Sequence, residues 1–208
     1  MECLLGVACK DFAMLAADMS TAQSILVMKD DEDKIYNISS KLMMAVCGEA
    51  GDTTQFAEYI AKNIQLYKMR NGYELSPSAA AAFTRRNMAD SLRSRTPYFV
   101  NMLIAGYDDA GGPELYFLDY LASLVKLPFA SHGYGGFFAL SIFDRYYRRD
   151  MTSEEAYELM KKCVREIHKR LIINMNQFVV RIVDANGIRE LPPITAKSLA
   201  AEALQSGL

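Results

Sequence analysis

The sequence predicts an α+β chain built as a four-layer αββα sandwich, two antiparallel sheets face to face with a helix pair outside each. Three observations lead there. The elements follow the order strands, two helices, strands, two helices, strands. They lack the alternating βαβ rhythm of a doubly wound parallel sheet. Tight hairpin signals at Asp108-Asp109-Ala110-Gly111-Gly112 and Asn186-Gly187 make neighbouring strands antiparallel. The 208 residues are enough for a full core, and no internal repeat or boundary divides them, so a single domain spanning 1–208 is expected.

Leu4 to Cys9 and Phe12 to Ala17 are short apolar runs flanking a Lys10-Asp11 turn. Ser24 to Met28, Lys34 to Ile38 and Lys41 to Cys47 continue the strand pattern, with the acidic run Asp30 to Asp33 as a solvated turn. A first helix opens at Gly51-Asp52-Thr53, carries Phe56, Ile60, Asn63/Ile64 and Tyr67 at helical spacing and closes at Asn71-Gly72. Ser76-Pro77 starts a second, with Ala80, Thr84, Met88 and Leu92 along one stripe, and Thr96-Pro97 ends it.

Tyr98 to Gly106, Glu114 to Tyr120 and Ser123 to Ala130 read as the second strand block. Phe137 to Tyr147 is a helix with Phe138, Ile142 and Tyr146 on one side. Thr152-Ser153-Glu154-Glu155 is a capping box for a fourth helix. Its buried stripe is Ala156, Met160, Cys163, Ile167 and Leu171, opposite Glu158, Lys161, Lys162, Arg165 and Lys169. Phe178 to Val183 and Ile188 to Leu191 close the sequence as a hairpin, and the segment from about 192 to 208 reads as a polar, Ala-rich tail.

Twenty-five acidic and 23 basic residues leave a formal charge of −2, without the basic excess of a nucleic-acid binder. No apolar stretch is long enough to span a membrane, and Glu2 replaces the basic start of a signal peptide. Cytoplasm and nucleus are the expected compartments. Four cysteines without a C-x-x-C pair, and only two histidines, make a zinc site unexpected, and no cofactor is implied.

The chemistry-bearing residue types do not assemble into a motif. Gly133-Tyr134-Gly135-Gly136 could cradle a phosphate, but the full pattern is missing and a tight strand-to-helix turn is the expectation. Ser131 and His132 are adjacent on an extended segment and point to opposite faces. Cys47 reads as a small core residue. The acidic run lacks EF-hand spacing.

Longer phrases carry a resemblance. They are GEAGDTTQFAEY from Gly48 to Tyr59, NGYELSP from Asn71 to Pro77, RSRTPY from Arg93 to Tyr98, Ala105 to Asp108, His132 to Gly135, and Asp144 to Tyr147, with Ala16-Ala17-Asp18 and Lys34-Ile35 before them. Together they resemble the β subunits of the proteasome core particle, over residues 1 to about 191, and in particular those at the fourth β position of the eukaryotic ring. The resemblance implies the N-terminal nucleophile hydrolase fold, the same αββα sandwich. It implies partners as well: other β subunits in a seven-membered ring, the α-ring subunits, and a second copy of the chain across the particle's two-fold axis.

Active members of that family attack with an N-terminal threonine, tuned by an aspartate and a lysine, with a glycine amide polarising the substrate oxygen. Carried over, these three supporting positions fall on Asp18, Lys34 and Gly48. The other positions depart: Met1-Glu2 stands where the threonine would be, without a Gly-Thr junction, Tyr134 replaces a serine, and Arg170 and Ile173 replace an aspartate and a serine. The expectation is therefore a non-catalytic subunit that shapes the chamber for ubiquitin-dependent degradation, with Asp18 and Lys34 as a structural ion pair. The alternative is an active amide hydrolase with a nucleophile such as Cys3 or Thr21, and a third reading is a self-assembling scaffold of the same fold.

Overall fold

The computed structural model describes residues 2–23, 26–172 and 175–206. The strand expected over Ser24 to Met28 lies partly, and Ile173 wholly, outside the described residues. Among the described residues the larger strands form two five-stranded antiparallel sheets. The first, in order β10-β1-β2-β11-β12, joins β1 (Cys3–Ala8), β2 (Phe12–Asp18), β10 (Phe129–Gly133), β11 (Gln177–Asp184) and β12 (Gly187–Thr195). The second, in order β5-β6-β7-β8-β9, joins β5 (Ile35–Ser39), β6 (Leu42–Gly48), β7 (Val100–Asp108), β8 (Gly112–Leu118) and β9 (Leu124–Lys126). A small ribbon pairs β3 (Thr21–Gln23) with β4 (Leu26–Lys29).

Three packed layers of side chains hold these sheets. Between them, Leu4, Leu15, Met43, Ala45, Leu103 and Leu115 interdigitate from opposite faces. Gly6 admits Leu15, Leu103 and Leu115 so closely that a Cβ there would stand 3.0–3.2 Å from them. On the outer face of the first sheet, Leu5, Val7, Met14 and Val180 pack against Phe143, Met160, Cys163 and Ile167. Those residues come from α3 (Gly136–Tyr146) and α4 (Ser153–Arg170). On the outer face of the second sheet, Met44, Met102 and Ile104 pack under Phe56, Ile60, Ala81 and Met88. These belong to α1 (Ala50–Asn71) and α2 (Pro77–Ser91). Both faces of each central strand are therefore covered, which is why β1 and β2 are almost continuously buried. The αββα order is as the sequence predicts.

Local signals set the boundaries. The Thr152 hydroxyl accepts from Glu155 N–H while the Glu155 carboxylate accepts from Thr152 N–H, closing the capping box. Ser76 caps α2 with Pro77 in its first turn, and Gly72 ends α1 in the left-handed conformation.

Three expectations need correction. Ser123 to Ala130 is not one strand: β9 pairs with β8 in the second sheet, and after Leu127-Pro128 the chain crosses to the first sheet, where β10 pairs with β1. Proline cannot donate to a ladder, so the change of sheet falls there. Residues beyond about 192 are not a polar tail: β12 runs to Thr195 against β11, and α5 (Ala196–Ser206) follows, burying Leu199. Pro192 and Pro193 are tolerated because β12 is an edge strand. Lys161 is not on the solvated face of α4 but is buried, with its ammonium on Glu158 and Glu202. On α3, Phe138, Ile142 and Tyr146 do share one side, which lines a groove against α4, while Ala139 and Phe143 face the core.

Candidate functional site

Four chain segments converge at one end of the sandwich. Glu2 lies just before β1, Asp18 ends β2, Lys34 precedes β5, and Gly48 ends β6. Asp18 is fully buried, and its carboxylate accepts from Cys3 N–H at 2.7 Å, Ser20 N–H at 3.2 Å and the Lys34 ammonium at 2.9 Å. Lys34, also buried, donates further to the Ser20 carbonyl at 2.7 Å. Burial pushes the Asp18 carboxyl above its ordinary value, against the opposing pull of Lys34 and the Cys3 amide. The residues on either side of Lys34 are tied to β11 by Arg181, which donates to the Ile35 carbonyl and pairs with Asp33.

Glu2 closes the cluster. One carboxylate oxygen lies 3.3 Å from the Lys34 ammonium and the other accepts from Gly48 N–H at 2.7 Å. Gly48 has φ +147°, and a Cβ there would stand 2.1 Å from the Phe99 carbonyl oxygen, so only glycine can present its amide at this point. Gly133, at φ +81°, meets the Glu2 carbonyl in the same way. The glycine turn from 133 to 136 thus packs on the head of β1: a Cβ on Gly135 would fall 2.3 Å from Cys3 Sγ. It is a close-approach turn and not a phosphate cradle.

The arrangement of β1, β2, Lys34 and the Gly48 turn can be compared with known proteins. A family model described as proteasome subunit matches residues 2–183. The chain is 52% identical over 192 residues to a probable proteasome subunit beta type-4 from Schizosaccharomyces pombe, covering 92% of this chain and 99% of that one. This chain belongs to the proteasome subunit family. It is also 47% identical over 198 residues to proteasome subunit beta type-4 of Saccharomyces cerevisiae, covering 95% of this chain and 100% of the yeast one. Against proteasome subunit beta type-2 of rice it is 47% identical over 209 residues, covering 97% and 98%.

Within this proteasome fold, Glu2, Asp18, Lys34 and Gly48 come together as one cluster of hydrogen bonds and ion pairs. Tyr134 does not join it: its side chain is exposed on the glycine turn. Arg170 is paired instead with Glu166 at the end of α4 and lies over the Phe138 ring. Sequence reasoning missed two participants. Ser20 serves through its backbone, a role that leaves no side-chain signal. Glu2 was readable only as a missing nucleophile, although an acid beside a strand whose end faces a lysine is itself a pairing signal.

The alternative nucleophiles are poorly placed. Cys3 is fully buried, and burial together with the Asp18 charge raises its thiol well above the ordinary value, away from the reactive thiolate. Cys47 is buried and shifted the same way, and Cys9 and Cys163 are pushed to about 12. The Thr21 hydroxyl bonds Glu32. Ser131 donates to the Leu4 carbonyl while His132 stacks on Phe117, so the two form no dyad. Among the described residues no acidic, cysteine or histidine cluster could hold a metal, and no helix is long and apolar enough to cross a membrane.

Proposed function

We propose that this chain is a non-catalytic β subunit of the proteasome core, a wall element of the chamber in which ubiquitin-dependent protein degradation takes place. The observation that carries the reading is Glu2. A nucleophilic hydroxyl is needed at this position, next to the Lys34 ammonium and the Gly48 amide. The residue here has none, and its carboxylate accepts from the amide and pairs with the ammonium. Asp18, Lys34 and Gly48 are then remnants of the family site, now fixing the ends of β2, β5 and β6, and Tyr134, Arg170 and Ile173 supply none of the missing groups.

Assembly with other proteasome subunits, in a seven-membered ring and against a second copy across the two-fold axis, is supported by what the chain leaves uncovered. Phe137 and Leu140 on α3 are exposed beside a groove rimmed by Arg145, Lys162 and Arg165. The next groove along α4 carries Glu154, Glu155 and Glu158 together with Arg148 and Lys162. A surface on which both signs alternate in this way suits a self-complementary contact. Cytoplasm and nucleus remain the compartments this role requires.

The test is adduct mapping. An assembled particle treated with a threonine-directed electrophile should yield no modified peptide from this chain, while catalytic neighbours are labelled. A covalent adduct on any residue of this chain would refute the reading.

A further inference from the structure

The Lys34 ammonium donates to Asp18 and to the Ser20 carbonyl, and its positive charge also faces one Glu2 oxygen 3.3 Å away as an ion pair. Gly48 N–H has one acceptor in this cluster, the other Glu2 oxygen. A single carboxylate at the head of β1, in the first sheet, therefore pairs with a buried cation and accepts from an amide at the end of β6, in the second. Its side chain retains 21% of its exposure, whereas that of Lys34 retains 4%. The space it fills opens to solvent, with Lys34 buried beneath it and Gly48 half-buried at its edge.

Removing Glu2 would take the second carboxylate from the Lys34 ammonium and leave the Gly48 amide with water as its acceptor, both held in positions fixed by Asp18 and by the conformation only glycine allows at 48. Two donors, set to receive the two oxygens of one carboxylate, make a binding site. We propose that Gly48 N–H and Lys34 Nζ form a carboxylate-binding site that Glu2 occupies as a built-in ligand, closing it to carboxylates from solution. The inference deepens the non-catalytic reading by naming what fills the unused site and what could replace it. A tethered side chain competes at an effective concentration of roughly millimolar or more. Free carboxylates should therefore have no access while Glu2 is present.

Formate, the smallest carboxylate, is the probe, used on the full chain against sodium chloride of equal ionic strength. In Glu2→Ala the Gly48 amide should exchange hydrogen about tenfold or more faster than in wild type, followed on peptides covering β6. Formate should slow it again in a saturable way and raise the melting temperature. Wild type should not respond to formate. Glu2→Gln fills the same space but must turn an NH₂ group toward one of the two donors. It should melt below wild type and stay insensitive to formate, and it serves if Glu2→Ala does not fold. Wild-type exchange in Glu2→Ala, faster exchange that formate does not reverse, or a wild-type melting temperature in Glu2→Gln would each overturn the proposal. An electrophile adduct on the wild-type chain would sink the non-catalytic reading and leave the formate result standing.

Discussion

His132 should make the fold sensitive to mild acid. It sits on β10 in the first sheet, but its ring reaches the second. There it stacks on Phe117 with centroids 4.1 Å apart, and its Nε2 lies 3.1 Å from the Met102 carbonyl oxygen. Only 7% of the residue is exposed, and burial depresses the imidazole from 6.5 to about 4, although the carbonyls of Met102 and Leu118 favour the charged form. The unfolded chain thus takes up a proton near pH 6.5 that the folded chain refuses until about pH 4. Stability from this group is complete above pH 6.5, falls as the pH drops, and levels off below about 4. At roughly 1.4 kcal/mol per pH unit the full loss is about 3 kcal/mol, most of it reached by about pH 4.5. Urea unfolding of wild type and His132→Gln across this range measures it, since the carboxylates titrate in both proteins and cancel in the difference. The wild type should lose about 2–3 kcal/mol more than the variant between pH 7 and 4.5. An excess below about 1 kcal/mol would refute the idea that the ring stays neutral between the sheets.

Lys34→Met leaves the buried Asp18 carboxylate with two amides and no cation, and should cost about 3–5 kcal/mol in urea unfolding at neutral pH. Adding Asp18→Asn should recover part of that loss, whereas independent, additive costs would deny the ion pair its structural role. Truncation after Thr195 removes Leu199 from the core and Glu202 from Lys161 and Arg165, and should lower stability by about 2 kcal/mol or more. Unchanged melting would mean that α5 does not dock.

The layer order was legible because each boundary carries its own chemistry: Ser76-Pro77, the Thr152 to Glu155 box, Asn186-Gly187 and Gly72 each act within four residues. What escaped reading depends on distant partners. Lys161 is a lysine on the polar side of a helical wheel, and only the docking of α5 makes that side an interior. The apolar run from Ser123 to Ala130 is β-compatible throughout, so nothing local says that its two halves serve different sheets. At the site, Asp18, Lys34 and Gly48 were found through the family phrases around them. The Glu2 contacts join residues 2 and 48 and could not be seen in either neighbourhood alone.

The order of the first sheet bears on how the chain comes to be made. β2, at its centre, hydrogen-bonds β1 on one side and β11 on the other. The partner of Asp18 in that second ladder is Phe178, which leaves the ribosome roughly 160 residues later, or on the order of 10–30 s at ordinary elongation rates. Until then one edge of a strand made of Phe12, Met14, Leu15 and three alanines has no backbone partner, and it is open to any other extended chain. The second sheet waits less, because β5 through β9 pair with their neighbours in strand order and its widest gap, from Gly48 to Val100, spans only α1 and α2. The half of the molecule that carries α1 and α2 can therefore organise first. The N-terminal hairpin must be kept from aggregating by that half, or by a chaperone, until the last strands arrive.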